Sequence, residues 1–185
     1  MSVGNESLWM GVIDKYYSDN QPLRDLLMLH SRLVADKALK IVAAHPELGA
    51  DAGFVEESAM LHDIGIFLTD ADKIHCYGKY HYLCHGYLGA DLLRSEGLPR
   101  HALVAERHTG TGLTLKQILE RDLPVPHRDM TPVSIEEKIV CFADKFYSKT
   151  RPEEEKTVEQ AENSLAKFGE EGVAIFREWC KLFYY

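Results

Sequence analysis

The sequence predicts an all-α fold, and three features support that prediction. Apolar residues recur at spacings of three and four through most of the chain. Residues that start and stop helices flank these periodic segments. No alternation of apolar and polar residues runs long enough to require a sheet. The chain has 185 residues, of which 45% are hydrophobic, so it can bury a core without disulfides.

The periodic pattern begins in the first third of the chain. It predicts a helix over residues 26–42, which Pro46 helps to end. A second helix is expected from near Asp51, with Gly65 as its stop. Residues 66–84 are rich in Tyr, His and Asp without a period, and this composition predicts a loop.

Helix signals return in the middle of the chain. One helix is expected to begin at His85 and to end at Gly97. Two shorter helices are predicted over 100–108 and 114–121, with glycines between them. Residues 122–133 contain three prolines and are expected to form a connector.

The last third of the chain predicts a core helix and then a charged tail. Ser134 and Glu137 have the spacing of a capping box, so a helix is expected from there through Phe146. From Glu153 onward we expect one or two amphipathic helices with a break at 169–172. The residues expected to pack this tail onto the body are Leu165, Phe168, Phe176, Trp179 and Phe183. We therefore expect one domain over residues 1–185, with a core at about 26–150 and a helical extension at 151–185.

Charge and composition limit the partners. The formal net charge is −8, and no stripe of Lys and Arg is present, so a long nucleic acid is not expected as a partner. A small anionic substrate remains compatible with this charge if a bound metal supplies positive charge locally. The sequence leaves open whether the chain forms a homo-oligomer.

The absence of export signals favours a cytoplasmic protein. The segment Met1–Tyr17 lacks the pattern of a signal peptide, and no apolar run is long enough to cross a membrane. The four cysteines contain no C-x-x-C pair, so a structural zinc ribbon is not expected. In the cytoplasm these thiols would stay reduced.

Several histidines and aspartates stand at positions that favour metal binding. The dipeptide His62-Asp63 follows an apolar helix and precedes a glycine, so both side chains can project from a fixed backbone. His30 lies within an apolar stripe, where its ring nitrogens need a partner or a metal. Asp144 lies in a segment typical of a core, mid-helix, and a buried carboxylate needs a cation or several donors. By contrast, His45, His101 and His127 are interpreted as surface residues.

The order of these residues resembles the HD superfamily of metal-dependent phosphohydrolases. The matching stretches are HSRLVADKALKI at His30, AMLHDIGI at His62, HGYLGADLLRSEGLP at His85, ERHTGTGL at His108 and EEKIVCFADKF at Asp144. The tetrapeptide from His62 to Gly65 is the HDIG variant of the family signature. The resemblance implies an HD-domain helical bundle with a metal site between its helices.

The resemblance also implies a ligand set for two divalent transition metals. One metal would be held by His30, His62, Asp63 and Asp144; a second would be held by His85 and His108, with Asp63 as a bridge. Imidazoles combined with carboxylates suit Mn, Fe, Zn or Ni better than Ca or Mg. Two such ions, about 3.5–4 Å apart, can share a hydroxide that attacks a phosphate.

Catalytic and substrate-binding roles follow from this scheme as hypotheses. Asp63 would act through the metals, and Lys145 is the candidate cation that stabilises the developing charge, with a solvent-facing lysine as the equal alternative. His81, Arg107 and Thr109 are further candidates for substrate binding. Their plainer interpretations are a loop position, an exposed helix salt bridge and an ordinary turn.

Differences between this sequence and known branches of the HD superfamily narrow the expected class of substrate. Ile66 replaces the lysine that follows HDIG in the cyclic-dinucleotide phosphodiesterase branch, and Thr109 follows a single His108. The chain is more similar to small stand-alone HDIG proteins and to the diadenosine-tetraphosphate hydrolase branch. A small phosphorylated substrate, and a nucleotide in particular, is therefore expected.

Two other functions fit the same ligands. A diiron HD-type oxygenase uses the same six-ligand pattern. A non-catalytic metal-binding regulatory module is the other alternative, although the complete ligand set argues against it.

Overall fold

A computed structural model of the chain describes residues 7–184. Residues 1–6 and Tyr185 lie outside the described residues. The expected domain spans residues 1–185, so its two ends lie outside the described residues. The first six residues of the segment 1–17, in which we expect no export signal, also lie outside them.

The described residues form helices almost throughout, as the sequence predicts. The helices are α1 (Leu8–Tyr17), α2 (Gln21–Ala44), α3 (Ala52–Leu61), α4 (His85–Ser95), α5 (Pro99–Arg107), α6 (Leu115–Glu120), α7 (Ile135–Asp144), α8 (Val158–Ala166) and α9 (Glu170–Phe183). The all-α prediction is confirmed. Two helical features were not predicted: α1 itself, and the start of α2 at Gln21 rather than near residue 26.

The centre of the molecule is built from five helices. Helix α2 packs against α3 and α7, and α5 packs against α3, α4 and α7. The apolar faces of these helices join one buried cluster, which also takes in residues of α1, α8 and α9.

Side chains at helix starts explain several boundaries. Asp51 accepts a hydrogen bond from the backbone N–H of Phe54 and so caps α3. Ser134 caps α7 by accepting from the N–H of Glu137. The predicted capping box is only half formed there, because the Glu137 carboxylate accepts from the N–H of Val133 instead.

The end of α7 differs from the prediction. The helix ends at Asp144 rather than at Phe146, so Asp144 is its last residue and not a mid-helix residue. This position aims the carboxylate out of the helix end, where the chain turns.

The segment 66–84 contains no α-helix, as expected of a loop, but it holds three short 3-10 helices (Ile66–Leu68, Asp72–Ile74 and Tyr82–Cys84) and a small ribbon. Strand β1 (Asp70–Ala71) pairs antiparallel with β2 (Cys76–Tyr77). Each strand has only two residues, which is too short for an alternating pattern to be visible in the sequence.

The tail packs on the body through aromatic contacts. The ring of Phe176 in α9 stacks on that of Phe142 in α7, with centroids 5.2 Å apart. Of the five tail residues predicted to be buried, four are buried, namely Leu165, Phe176, Trp179 and Phe183. The prediction for Phe168 is wrong, since that residue is 69% exposed in the turn between α8 and α9.

One of the three histidines interpreted as surface residues is buried. His101 retains 9% of its exposure, lies 3.0 Å from the Glu57 carboxylate through Nε2 and packs edge-on against Phe54. The prediction for His101 is therefore wrong. His127 is exposed as predicted, and His45 is partly buried.

Within residues 7–184, no helix is both long enough and apolar enough to cross a bilayer.

Candidate metal centre

The six residues predicted to bind metal meet where five helices converge: His30 lies within α2, and the other five lie at or just beyond helix ends. The six are His30 from α2, His62 and Asp63 just after α3, His85 at the start of α4, His108 just after α5, and Asp144 at the end of α7. All six are buried. Two groups within this cluster have donor atoms that lie within 4.8 Å of one another, and they share Asp63.

The turn after α3 is held tightly against its neighbours. The Tyr17 hydroxyl donates a hydrogen bond of 2.8 Å to the carbonyl of Ile64. A Cβ on Gly65 would lie 2.3 Å from the carbonyl oxygen of His85 and 2.5 Å from the backbone nitrogen of Gly89. Only glycine permits this close approach of α4, which brings the His85 ring next to Asp63.

The first group gathers around one oxygen of Asp63. The Nε2 atom of His62 lies 3.1 Å from Asp63 Oδ2, and the Nε2 atom of His30 lies 3.2 Å from it. The Oδ1 atom of Asp144 lies 3.1 Å from His30 Nε2 and 3.4 Å from His62 Nε2. Two imidazoles and two carboxylates thus converge on one point.

The second group gathers around the other oxygen of Asp63. The Nε2 atoms of His85 and His108 each lie 3.3 Å from Asp63 Oδ1. These two nitrogens are 3.0 Å from each other. One carboxylate therefore presents one oxygen to each group.

Backbone carbonyls fix the orientation of three of the histidine rings. The Nδ1 atoms lie 2.6 Å from the carbonyl oxygen of Ala59 for His62, 2.6 Å from that of Tyr82 for His85, and 2.7 Å from that of Ala105 for His108. A carbonyl only accepts, so each Nδ1 carries a proton and donates it. In the neutral ring the Nε2 lone pair is then free to bind a metal.

The donor set fits a divalent transition metal. Two Nε2 lone pairs 3.0 Å apart repel each other unless a cation lies between them. Both oxygens of Asp63 are buried without a hydrogen bond of acceptable geometry to any described residue. Lys149 lies against Oδ2 of this buried carboxylate, but Oδ1 faces only the two neutral rings of His85 and His108, and a bound cation there would compensate its charge. Imidazole combined with carboxylate suits Mn, Fe, Zn or Ni.

The charges of the cluster shift its titration strongly. Burial lowers the pKa of His85 to about 3 and also lowers the pKa of His108, so both rings stay neutral. Burial acts the same way on His62, but the carboxylates of Asp63 and Asp144 outweigh it and raise the pKa of His62 to about 9. Burial opposes ionisation of Asp63, yet the charges of His62 and Lys149 hold the pKa of Asp63 well below its usual range.

Two lysines contact the candidate metal-binding carboxylates. Lys145 lies with Nζ 2.8 Å from Asp144 Oδ2 and donates to the carbonyl of His108 at 2.9 Å. It is therefore not the solvent-facing lysine of the alternative interpretation. Lys149 was not predicted, but its Nζ lies 2.6 Å from Asp63 Oδ2 and its side chain is only 14% exposed. Its place in a turn five residues after Asp144 is the only sequence signal that could have indicated it.

A cavity of about 800 Å³ opens beside this centre. His85 and Asp144 form part of its wall, together with the predicted substrate-binding residues His81, Thr109 and Lys145. His81 is exposed and precedes a 3-10 turn, so it does not share a helix face with His85.

Arg107, the fourth predicted substrate-binding residue, is not part of the cavity wall as described. Its Nη1 atom lies 2.9 Å from Glu137 Oε2, in a partly buried ion pair between α5 and α7. This contact corresponds to the salt-bridge interpretation, although the pair is less exposed than expected.

The cavity wall carries an excess of positive charge. Its basic residues are Lys73, Arg121, Lys145, Lys149 and Lys156, and among the described residues its only acidic one is Asp144. This is the reverse of the balance in the whole chain, whose net charge is −8.

The sequence matches the HD domain family over residues 27–149, which includes all six candidate ligands and both lysines. The chain belongs to the HD domain family. An uncharacterised protein of Methanocaldococcus jannaschii is 33% identical over 142 residues, which cover 75% of this chain and 76% of that relative.

Two further relatives are much longer proteins. Both are named tRNA (cytidine(56)-2'-O)-methyltransferase. The one from Picrophilus torridus is 34% identical over 69% of this chain, and the one from Thermoplasma volcanium is 32% identical over 67% of it. The HD domain chain spans only 33% and 32% of their lengths. No solved structure matches the sequence significantly.

Proposed function

We propose that this HD domain protein is a metal-dependent phosphohydrolase that acts on a small phosphoester, with a nucleotide as the favoured class. The observation that carries the proposal is one carboxylate, Asp63, shared by two ligand groups beside a cavity with five basic residues and one acidic residue. Such a cavity attracts small anions, and phosphoesters are small anions that binuclear centres hydrolyse.

The proposed cofactor is two divalent ions, drawn from Mn, Fe, Zn and Ni. His30, His62, Asp63 and Asp144 would hold one ion. Asp63, His85 and His108 would hold the other. When bound, such ions supply a hydroxide nucleophile at neutral pH and polarise the phosphoryl oxygens.

Other residues of the chain would orient the metal ligands and bind the substrate in this scheme. The carbonyls behind the histidine rings hold each Nε2 in place, so little reorganisation is needed when ligands bind. Lys145 and Lys149 keep positive charge at the cavity wall, where phosphoryl oxygens would lie. Leu83 and Leu123 offer an apolar wall for the rest of the substrate.

Two relatives are named after an activity on tRNA, but we do not propose tRNA as a substrate of this chain. The similar region is about a third of each of those proteins. The chain also carries a net charge of −8, which disfavours a long polyanion as partner. We further propose a cytoplasmic location, where the four free cysteines stay reduced.

The test is a phosphate-release screen with the metal-free protein reconstituted separately with Mn, Fe, Co, Ni and Zn. Nucleoside mono-, di- and triphosphates serve as substrates, each in air and under anaerobic conditions. We expect hydrolysis with at least one metal and no dependence on oxygen. Asp63→Asn should abolish it, whereas Asp91→Asn, at a side chain that is 62% exposed, should leave it unchanged.

The other two functions make different predictions in the same screen. Two bound irons, oxygen consumption and no phosphate release would identify an oxygenase. Stable metal binding with no turnover of any phosphoester would favour the regulatory module.

A further inference from the structure

Most basic residues of the cavity wall already have a partner. Lys145 contacts Asp144, and Lys149 contacts Asp63. Arg121 donates through Nη1 to the carbonyl of Phe168 at 2.5 Å. Lys73, by contrast, is exposed to solvent and has no need of a partner.

Lys156 is different from these four. It lines the cavity and is partly buried, yet its ammonium makes no ion pair or side-chain hydrogen bond with any residue of the range 7–184. Partial burial of a cation without a counter-charge is unfavourable, so this lysine has unused capacity to bind an anion.

The backbone places Lys156 close to the metal centre but outside it. Its N–H donates to the carbonyl of Phe146 at 2.8 Å, two residues after Asp144. The next residue, Thr157, caps α8. Lys156 therefore lies where the wall passes from the end of α7 to the start of α8.

The electrostatic surroundings agree with this placement. Burial lowers the pKa of Lys156; Asp144 opposes that effect, while Lys145 and Lys149 add to it. Lys156 is thus within the field of the metal-centre residues without contacting either metal-binding carboxylate. The local excess of cations would be relieved by a bound anion.

We propose that Lys156 forms a second anion-binding subsite in the cavity, which holds a phosphoryl group beyond the one at the metal centre. Lys145 and Lys149 contact the metal-binding carboxylates, so they would serve the group at the centre itself. Lys156 would serve the next phosphoryl group along the substrate. The inference rests on the proposed function and narrows it to substrates with at least two linked phosphoryl groups.

The test compares two ligands that the protein cannot hydrolyse. Inorganic phosphate carries one phosphoryl group and methylenediphosphonate carries two. Each is titrated calorimetrically into the metal-loaded protein, with the free metal concentration held constant so that chelation does not differ between samples. Lys156→Met removes the charge but keeps the chain length. The matched control is Lys116→Met, at a side chain that is 71% exposed.

We expect Lys156→Met to weaken methylenediphosphonate binding by about tenfold or more, the usual effect of losing a charge-assisted hydrogen bond. Phosphate binding should stay unchanged, and Lys156→Arg should restore the bisphosphonate affinity. The control variant should bind both ligands as the wild type does.

Two results would overturn the subsite. If Lys156→Met weakens the binding of both ligands equally, Lys156 contacts the same phosphoryl group as the metals. If the variant binds both ligands as the wild type does, Lys156 is a solvated lysine. The subsite and the proposed function fail separately. A protein that needs Lys156 for the bisphosphonate but hydrolyses no phosphoester refutes only the function. A phosphohydrolase whose Lys156→Met variant binds the bisphosphonate normally refutes only the subsite.

Discussion

The Nε2 atoms of His85 and His108 lie 3.0 Å apart, although a backbone carbonyl holds the proton of each ring on Nδ1. Two such lone pairs face each other only where something positive joins them. Asp63 Oδ1, 3.3 Å from both nitrogens, completes the arrangement. These three residues therefore behave as one ligand group, separate from the group on Asp63 Oδ2.

The first prediction concerns metal content. His108→Ala should reduce the bound metal from two ions per chain to one, because only the second group loses a ligand. The measurement is elemental analysis of protein reconstituted with Mn or Zn and then desalted. His127→Ala, at an exposed histidine, should keep both ions. Retention of two ions by His108→Ala would be incompatible with the two-group assignment.

The second prediction concerns protons released on metal binding. The carboxylates raise the pKa of His62 to about 9, so in the absence of metal this ring is protonated at pH 7 and must lose a proton to become a ligand. His85, with a pKa lowered to about 3, has none to lose. Calorimetry at pH 7 in two buffers of different ionisation enthalpy should therefore report about two protons released per chain, one from the His62 ring and one from the water that would become the metal-bound hydroxide.

The raised pKa of His62 also predicts how stability and proton release change with pH. The raised pKa of His62 stabilises the metal-free fold below pH 6.5, and this contribution is lost as pH rises through about 9. Proton release should consequently decline over the same range. Proton release that does not fall by about one proton between pH 7 and pH 10 would show that His62 is neutral before metal binds.

The third prediction concerns Lys149. Its ammonium lies 2.6 Å from Asp63 Oδ2, and Asp63 is fully buried. Removing one partner of a buried ion pair typically costs about 3–5 kcal/mol, so Lys149→Met should lower the unfolding free energy of the metal-free protein by an amount of that order. With metals bound the loss should be smaller, since they also neutralise Asp63.

Urea unfolding with and without chelator measures both quantities. Lys181→Met, at a side chain that is 72% exposed, is the matched control and should be near neutral. A loss for Lys149→Met that is the same with and without metal would mean that Lys149 does not share Asp63 with the metals.

The fourth prediction concerns the glycine of the HDIG turn. Gly65→Ala would place a methyl group 2.3 Å from the carbonyl oxygen of His85, so α4 must move away. We expect a loss of about 1–3 kcal/mol in stability and weaker binding at the second group. Gly11→Ala in α1, where a Cβ meets nothing within 4 Å, should be neutral or slightly stabilising. Equal stabilities of the two variants would refute the close approach.

The candidate metal ligands could be recognised in the sequence because each stands out locally. A histidine in an apolar stripe, such as His30, and a carboxylate in a core helix, such as Asp144, violate the pattern around them. Their order along the chain then matches one family. The starts of α3 and α7 were also readable, since the capping side chains of Asp51 and Ser134 act over three residues, whereas α1 and the start of α2 were not predicted.

The lysines of the cavity could not be predicted in the same way. Lys149 and Lys156 lie in short polar segments after α7, where lysines usually face solvent. Their role depends on how the chain folds back over Asp63 and the cavity, which is a tertiary relationship without a local signal.

Two burial predictions failed for tertiary reasons as well. Phe168 has the spacing of a packed residue, but it lies beyond the end of α8 and directly before Gly169, whose φ of 120° turns the chain outward. His101 is polar, but its helix face meets α3, where Glu57 pairs with it. Periodicity indicates which residues share a helix face, but it does not indicate whether that face packs against another element or faces solvent.

The central claim is that Asp63 is shared by two metal ions. Anomalous diffraction from crystals grown with Mn or Zn, recorded at the absorption edge of the added metal, tests it most directly. The account predicts two peaks per chain, one among His30, His62 and Asp144 and one beside His85 and His108, with Asp63 between them. A single peak, or a pair that does not flank Asp63, would contradict it.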